Sequence, residues 1–186
     1  MGRRPIPVAR PLASGLLLAL VCVSAVGCGT SRAYTQAVEE AELGVALLLS
    51  ITETDTANLL ADHTALGEIS SDDIATVFFN DMREYTGEEP GPAEERAVYD
   101  IIENPDGSVS FLVFFGAGAF ASSGLVTTNQ SRHSCGSLAG RFAERELTVT
   151  DVDCPPEITR FAGDSSIALS MTENATKYAA EIEKML

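Results

Sequence analysis

Val98-Tyr-Asp-Ile-Ile102, Asn104-Pro-Asp-Gly107 and Ser108-Val-Ser-Phe-Leu-Val-Phe-Phe115 follow one another almost without a gap, and this stretch decides the fold class. The first segment is rich in β-branched and aromatic residues and reads as a strand. The second is a turn, because proline presets φ and Gly107 supplies a left-handed position. The third is the strongest strand of the chain, and its unbroken apolar run predicts burial on both faces and a central place in a sheet. Beyond it, Gly116-Ala-Gly-Ala-Phe-Ala-Ser-Ser-Gly124 has three readings: a continued strand with a bulge, a helix lying close to the sheet, or a loop. Further on, a turn centred on Glu144-Arg145 lies between Phe142 and Leu147, and it sets Cys135 opposite Cys154 on adjacent strands. Pro155-Pro156 should then stop the strand.

Outward from this β region the period changes. Tyr34, Ala37, Val38, Ala41, Val45, Leu48 and Leu49 recur every three or four residues, which predicts a helix from Ala33. The poor helix formers of Ile51-Thr-Glu-Thr-Asp-Thr56 suggest a bend or break. Leu59, Leu60, His63 and Leu66 then resume the stripe, with Gly67 as the stop. Ser70-Ser-Asp-Asp73 opens a second helix with apolar Ile74, Val77, Phe78, Met82 and Tyr85. Gly87 ends it, and residues 88–95 form an acidic loop. A closing helix starts near Thr172 with Ala175, Tyr178, Ala179, Ile182 and Met185 on one side. Helices, then four or more antiparallel strands, then a helix make an α+β domain over residues 33–186, with helices packed on one face of a meander.

The first residues carry an address. Arg3, Arg4 and Arg10 precede an apolar run from Leu12 to Gly27. Sixteen helical residues span about 24 Å, short of the ~30 Å hydrocarbon core, so residues 1–27 read as a signal peptide. The run ends in Ala25-Val26-Gly27-Cys28, which resembles the lipobox of bacterial lipoproteins. That resemblance implies cleavage before Cys28, lipidation of its sulfur, a short tether over residues 28–32, and a place on the outer face of the cell membrane. Together with the closing Cys135…Asp151-Val-Asp-Cys154-Pro-Pro, it resembles small secreted lipoproteins of actinobacterial type, a group that transfers no activity. With Cys22 removed and Cys28 lipidated, Cys135 and Cys154 are left as a pair in an oxidising compartment, which predicts a disulfide.

Loss of the signal removes three arginines and no acids, leaving a net charge of −18. Residues 39–106 hold 18 acids against Arg83 and Arg96. Such a charge excludes nucleic acid and repels an anionic bilayer. It either keeps the domain soluble or meets a basic protein partner through Glu88, Glu89, Glu94 and Glu95.

The chemistry-bearing motifs are few. Nucleophile elbows, His-Glu-x-x-His, Cys-x-x-Cys, phosphate loops and the dinucleotide fingerprint are absent, so no cofactor and no metal are expected. Asp72-Asp73 and Asp151-x-Asp153 read as a helix N-terminus and a solvent-facing strand rather than as cation ligands. His63 reads as a satisfied, half-buried histidine. The sequence therefore favours a non-enzymatic binding module, so that both histidines should be dispensable. The alternative is a hydrolase with a site near His133. A concave pocket holding His133 on a carboxylate would favour the hydrolase, and an exposed His133 on a flat sheet the module.

Overall fold

The computed structural model describes residues 14–83, 95–124, 126–163 and 165–186, with side chains from residue 31 onward except those of Glu95 and Phe161. Tyr85, Gly87 and the acidic loop with Glu88, Glu89 and Glu94 lie outside the described residues. The first helix, α1, runs Ser14–Asp62. After a 3₁₀ turn at Leu66–Glu68 come α2 (Ser71–Phe78), β1 (Asn80–Asp81), β2 (Glu95–Glu103), β3 (Ser108–Ser123) and β4 (Val126–Arg141). The chain closes with β5 (Leu147–Asp151), α3 (Pro156–Ala162), β6 (Ile167–Ala168) and α4 (Met171–Ile182). This is an α+β fold. The sheet order is β1-β2-β3-β4-β5, with β6 also on β4. The expected antiparallel meander β2-β3-β4-β5 is present, but β1 and β6 join parallel, so the sheet is mixed.

One face of the sheet lies under α1. Val109, Phe111, Val113, Phe115 and Ala117 alternate along β3 toward α1, where they meet Val45, Leu49 and Leu60. The expected bend over residues 51–56 is absent. Thr52 and Thr56 are buried on the sheet, and the Thr52 hydroxyl donates to the Leu48 carbonyl at 2.7 Å, so packing overrides their weak helix propensity. Asp55 accepts from Arg96, a buried β2 arginine, at 2.9 Å. Gly67 lies in the 3₁₀ turn and does not end α1, which stops at Asp62. His63 sits just past that end and hydrogen-bonds through Nδ1 to the Leu59 carbonyl at 2.8 Å.

Several boundaries shift. Ser70 and Asp73 form a reciprocal capping box, so Asp72 and Asp73 do sit at a helix N-terminus. That helix stops at Phe78 because Phe79 takes φ 58°, and Met82 lies beyond β1. Residues 116–124 are resolved in favour of a strand: β3 continues to Ser123, paired with β4 as far as Ser123↔Val126. Its small residues let α1 lie close, since a Cβ built on Gly44 would sit 2.8 Å from that of Ala117. Tyr34, which the helical stripe places on the apolar face, is exposed, and so is Phe120.

The last hairpin forms in a different register from the expected one. Gly136 pairs with Asp151 and Gly140 with Leu147, so the turn is centred one residue earlier. Ala143 takes φ 61° and its N–H donates to the Leu60 carbonyl at 2.9 Å, which docks the turn on the end of α1. Cys135 therefore faces Val152, whose N–H donates to the Cys135 carbonyl at 3.2 Å. The Cys135–Cys154 disulfide still forms, with the Cα atoms 5.3 Å apart. Cys154 lies past the end of β5 and folds over the sheet to reach its partner. Pro155 and Pro156 do not cap a strand; Pro156 is the first residue of α3, where a missing N–H costs nothing.

Candidate functional site

The face of the sheet away from α1 is built differently. Phe114, Ala97 and Cys135 are buried there against Met82 and against Ile158 of α3. His133 and Cys135 sit two apart on β4 and so share this face. Beside them the chain from Val152 to Ser170 arches away and returns as β6, which pairs His133 with Ala168. Between the arch and β4 lies a cleft of about 800 Å³. Its walls carry His133, Ser134, Asp153, Thr159, Ser166 and the disulfide.

His133 is only 4% exposed. Its Nδ1 lies 2.9 Å from the Ser166 hydroxyl, and its ring stacks on Phe114 with centroids 6.1 Å apart. Burial pushes its pKa below the usual histidine value, so the ring is neutral near pH 7. Ser166 also accepts from the Ser131 hydroxyl at 3.2 Å. The Ser134 hydroxyl donates to the Leu169 carbonyl at 3.0 Å, and the Leu169 N–H donates to the His133 carbonyl at 2.8 Å. The cleft wall is thus stitched to β4 by short polar bonds as well as by the disulfide.

Asp151 ends β5 as the exposed strand residue the sequence suggests, and it also has a role the sequence does not show. Its carboxylate accepts from the Met171 N–H, from the Thr172 hydroxyl and from the Ser170 hydroxyl, the last at 3.1 Å. It therefore caps α4 from a neighbouring strand, meeting backbone donors that the helix itself leaves unpaired. Burial pushes its pKa up, but the bonds from Thr172, Met171 and Ser170 outweigh this and hold it below the ordinary aspartate value. Asp153 lies in the cleft with an exposed carboxylate.

The arrangement meets one of the two conditions for a hydrolase. The pocket is concave and His133 is inside it, but among the described residues no carboxylate hydrogen-bonds the ring, and Asp151 serves α4. No group of three or more His, Cys, Asp or Glu side chains suited to a metal occurs among the described residues. His63 lies elsewhere, at the end of α1, with its Nε2 3.9 Å from Asp73. Sequence reasoning did not find Ser166 or the polar arch. Residue 166 is 33 positions from His133, and only the parallel β6 pairing brings them together. Cys28 lies within the helical backbone of α1, and its side chain is outside the described ones. No described helix is long and apolar enough to cross a membrane. Compared with known proteins, the chain matches no family model, no curated sequence and no solved structure.

Proposed function

We propose that this protein is a lipid-anchored binding module on the outer face of the cell membrane, and that a small polar ligand occupies the His133 cleft. The observation that carries this reading is the cleft itself. It is walled by hydroxyls, a neutral imidazole and the free Asp153 carboxylate, and it is braced by a disulfide. A few fixed polar groups around a concave space are what small-ligand recognition requires. Asp153 and the lack of any described basic side chain in the lining favour a neutral or cationic ligand, such as a polyol or an amine.

The hydrolase reading has one observation in its favour, the 2.9 Å contact between His133 and Ser166. Among the described residues it lacks a carboxylate to orient the ring and stabilise the imidazolium that proton transfer would create. One experiment separates the two. Native mass spectrometry of the full chain against a panel of sugars, polyols and amines should give adducts that Asp153→Asn and Thr159→Val weaken. No ester or amide hydrolysis is expected. A hydrolytic activity abolished by Ser166→Ala and reduced at least ~100-fold by His133→Ala in folded protein would overturn the binding reading.

A further inference from the structure

The β3–β4 hairpin outruns the rest of the sheet. β2 covers β3 only as far as Glu95↔Gly116 and β6 reaches β4 only at Arg132, opposite Ala117, so among the described residues the hairpin continues without a further strand for six residues, Gly118 to Ser123. Its whole length lies along α1 and points toward the helix N-terminus. Val109 pairs with Gly140, which sits against Leu60. Ala117 lies against Gly44, and Ala121 packs with Ala33 and Ala37.

These contacts fix a scale. From Ala117 to Ser123 is about 20 Å at ~3.3 Å per strand residue, which matches roughly 13 residues of helix at 1.5 Å each. The hairpin tip therefore stands level with residues about 30–32 of α1, within one helical turn of Cys28. From Cys28 onward the chain runs in helical backbone directly into the part of α1 that packs on the hairpin.

The chemistry of this end of the hairpin and helix is unlike the rest of the chain. Residues 107–143 contain no Asp or Glu, and neither do residues 29–38. The chain otherwise carries 27 acids. At the tip, Ser122 and Thr127 pair their hydroxyls at 2.9 Å, and Phe120, three residues back, is 69% exposed. Arg32 is exposed at the same level on α1.

We propose that the hairpin tip, where β3 and β4 end at Ser122, Ser123 and Thr127, is a second membrane contact that seats in the lipid headgroup layer beside the anchor. The proposal rests on lipidation of Cys28. An acidic domain is repelled by an anionic leaflet, and the carboxylate-free hairpin presents uncharged hydroxyls where the anchor holds the protein against the bilayer. Hydroxyls and an aromatic ring suit the interface, where one side is apolar and the other wet. With the anchor and the hairpin tip both on the surface, two points of contact hold the domain at one orientation.

The chain has no tryptophan, so single-tryptophan variants report position directly. Thr127→Trp and Ser123→Trp lie on the two sides of the tip, Phe120→Trp lies higher, and Ile102→Trp lies at the far end of the sheet. The full chain, purified from a host that processes lipoproteins, is placed in phosphatidylcholine vesicles carrying a nitroxide on the headgroup. Emission should be lost most from the two tip variants, less from Phe120→Trp and not at all from Ile102→Trp. Intact-mass analysis of the same samples reads the acyl groups on Cys28. If the acyl groups are present and the tip variants are as unquenched as Ile102→Trp, the headgroup contact is wrong and the anchor stands. If Cys28 carries no lipid, both readings fall.

Discussion

The two faces of the sheet are made by the same strands and held by different means. Under α1, large side chains from β3 meet Leu49 and Leu60 in a continuous core, and buried Arg96 and Arg132 enter that layer beside Asp55 and Glu42 of α1. On the other face a smaller cluster sits under the seven-residue α3, and the chain is fixed by a disulfide, by the His133–Ser166 contact and by the carboxylate of Asp151. Apolar burial is non-directional and seals a face, whereas a few directional bonds can pin a chain and leave a concavity beside it. The open face carries the cleft for that reason.

The comparison makes demands of decreasing size. Phe111 is fully buried in the α1 layer, so Phe111→Ala should lower stability by about 3–5 kcal/mol, measured by denaturant unfolding. A smaller loss than that from removing the disulfide would reverse the ranking of the two faces.

The disulfide closes a 19-residue separation, and loop-closure entropy assigns it about 3 kcal/mol. A Cys135→Ser, Cys154→Ser double variant should lose that much and still fold around α1. Hydrogen exchange should rise in the arch from Val152 to Ser170 and stay low in β3. Uniformly faster exchange would mean that the disulfide holds the whole domain and the faces are not separable.

The smallest effect belongs to Asp151. Its folded pKa is depressed, so its contribution is fully present above the unfolded value near 3.9 and is lost as pH falls through the folded value. Asp151→Asn should cost about 1 kcal/mol at neutral pH, the size of a helix cap. The gap in Tm between the two proteins should close as pH drops below about 4 and stay constant from pH 5 to 8. A gap that persists at pH 2 would show that the side chain acts through packing rather than charge.

Much of the fold is legible in local pattern. Asn104-Pro-Asp-Gly107 forms its turn with Gly107 at φ 79°, Ser70 caps its helix, and Tyr178 and Ile182 are buried on α4 as their spacing predicts. These features depend on residues within one or two turns of each other. The failures share the opposite property. Thr52 and Thr56 are poor helix formers that stay helical because a sheet 40 residues away receives them. The one-residue shift of the last turn follows from the Ala143–Leu60 bond, which no local pattern encodes. Of the cleft, the sequence marks His133 and the cysteines as residues of interest, while the role of Ser166 depends on a two-residue parallel pairing too short to leave a periodic signal.

By itself, then, the sequence determined the α+β class, the order of the main elements, the central strand and the pairing of Cys135 with Cys154. Period, turn chemistry and cysteine count are short-range properties and survive without coordinates. Tertiary structure alone decided that residues 116–123 extend a strand, that Asp151 caps a distant helix, and that the hairpin lies along α1 as far as Ala33. Each of these depends on how far one rigid element reaches along another. That distance is set by packing of α1 on the sheet, through contacts between residues widely separated in the chain.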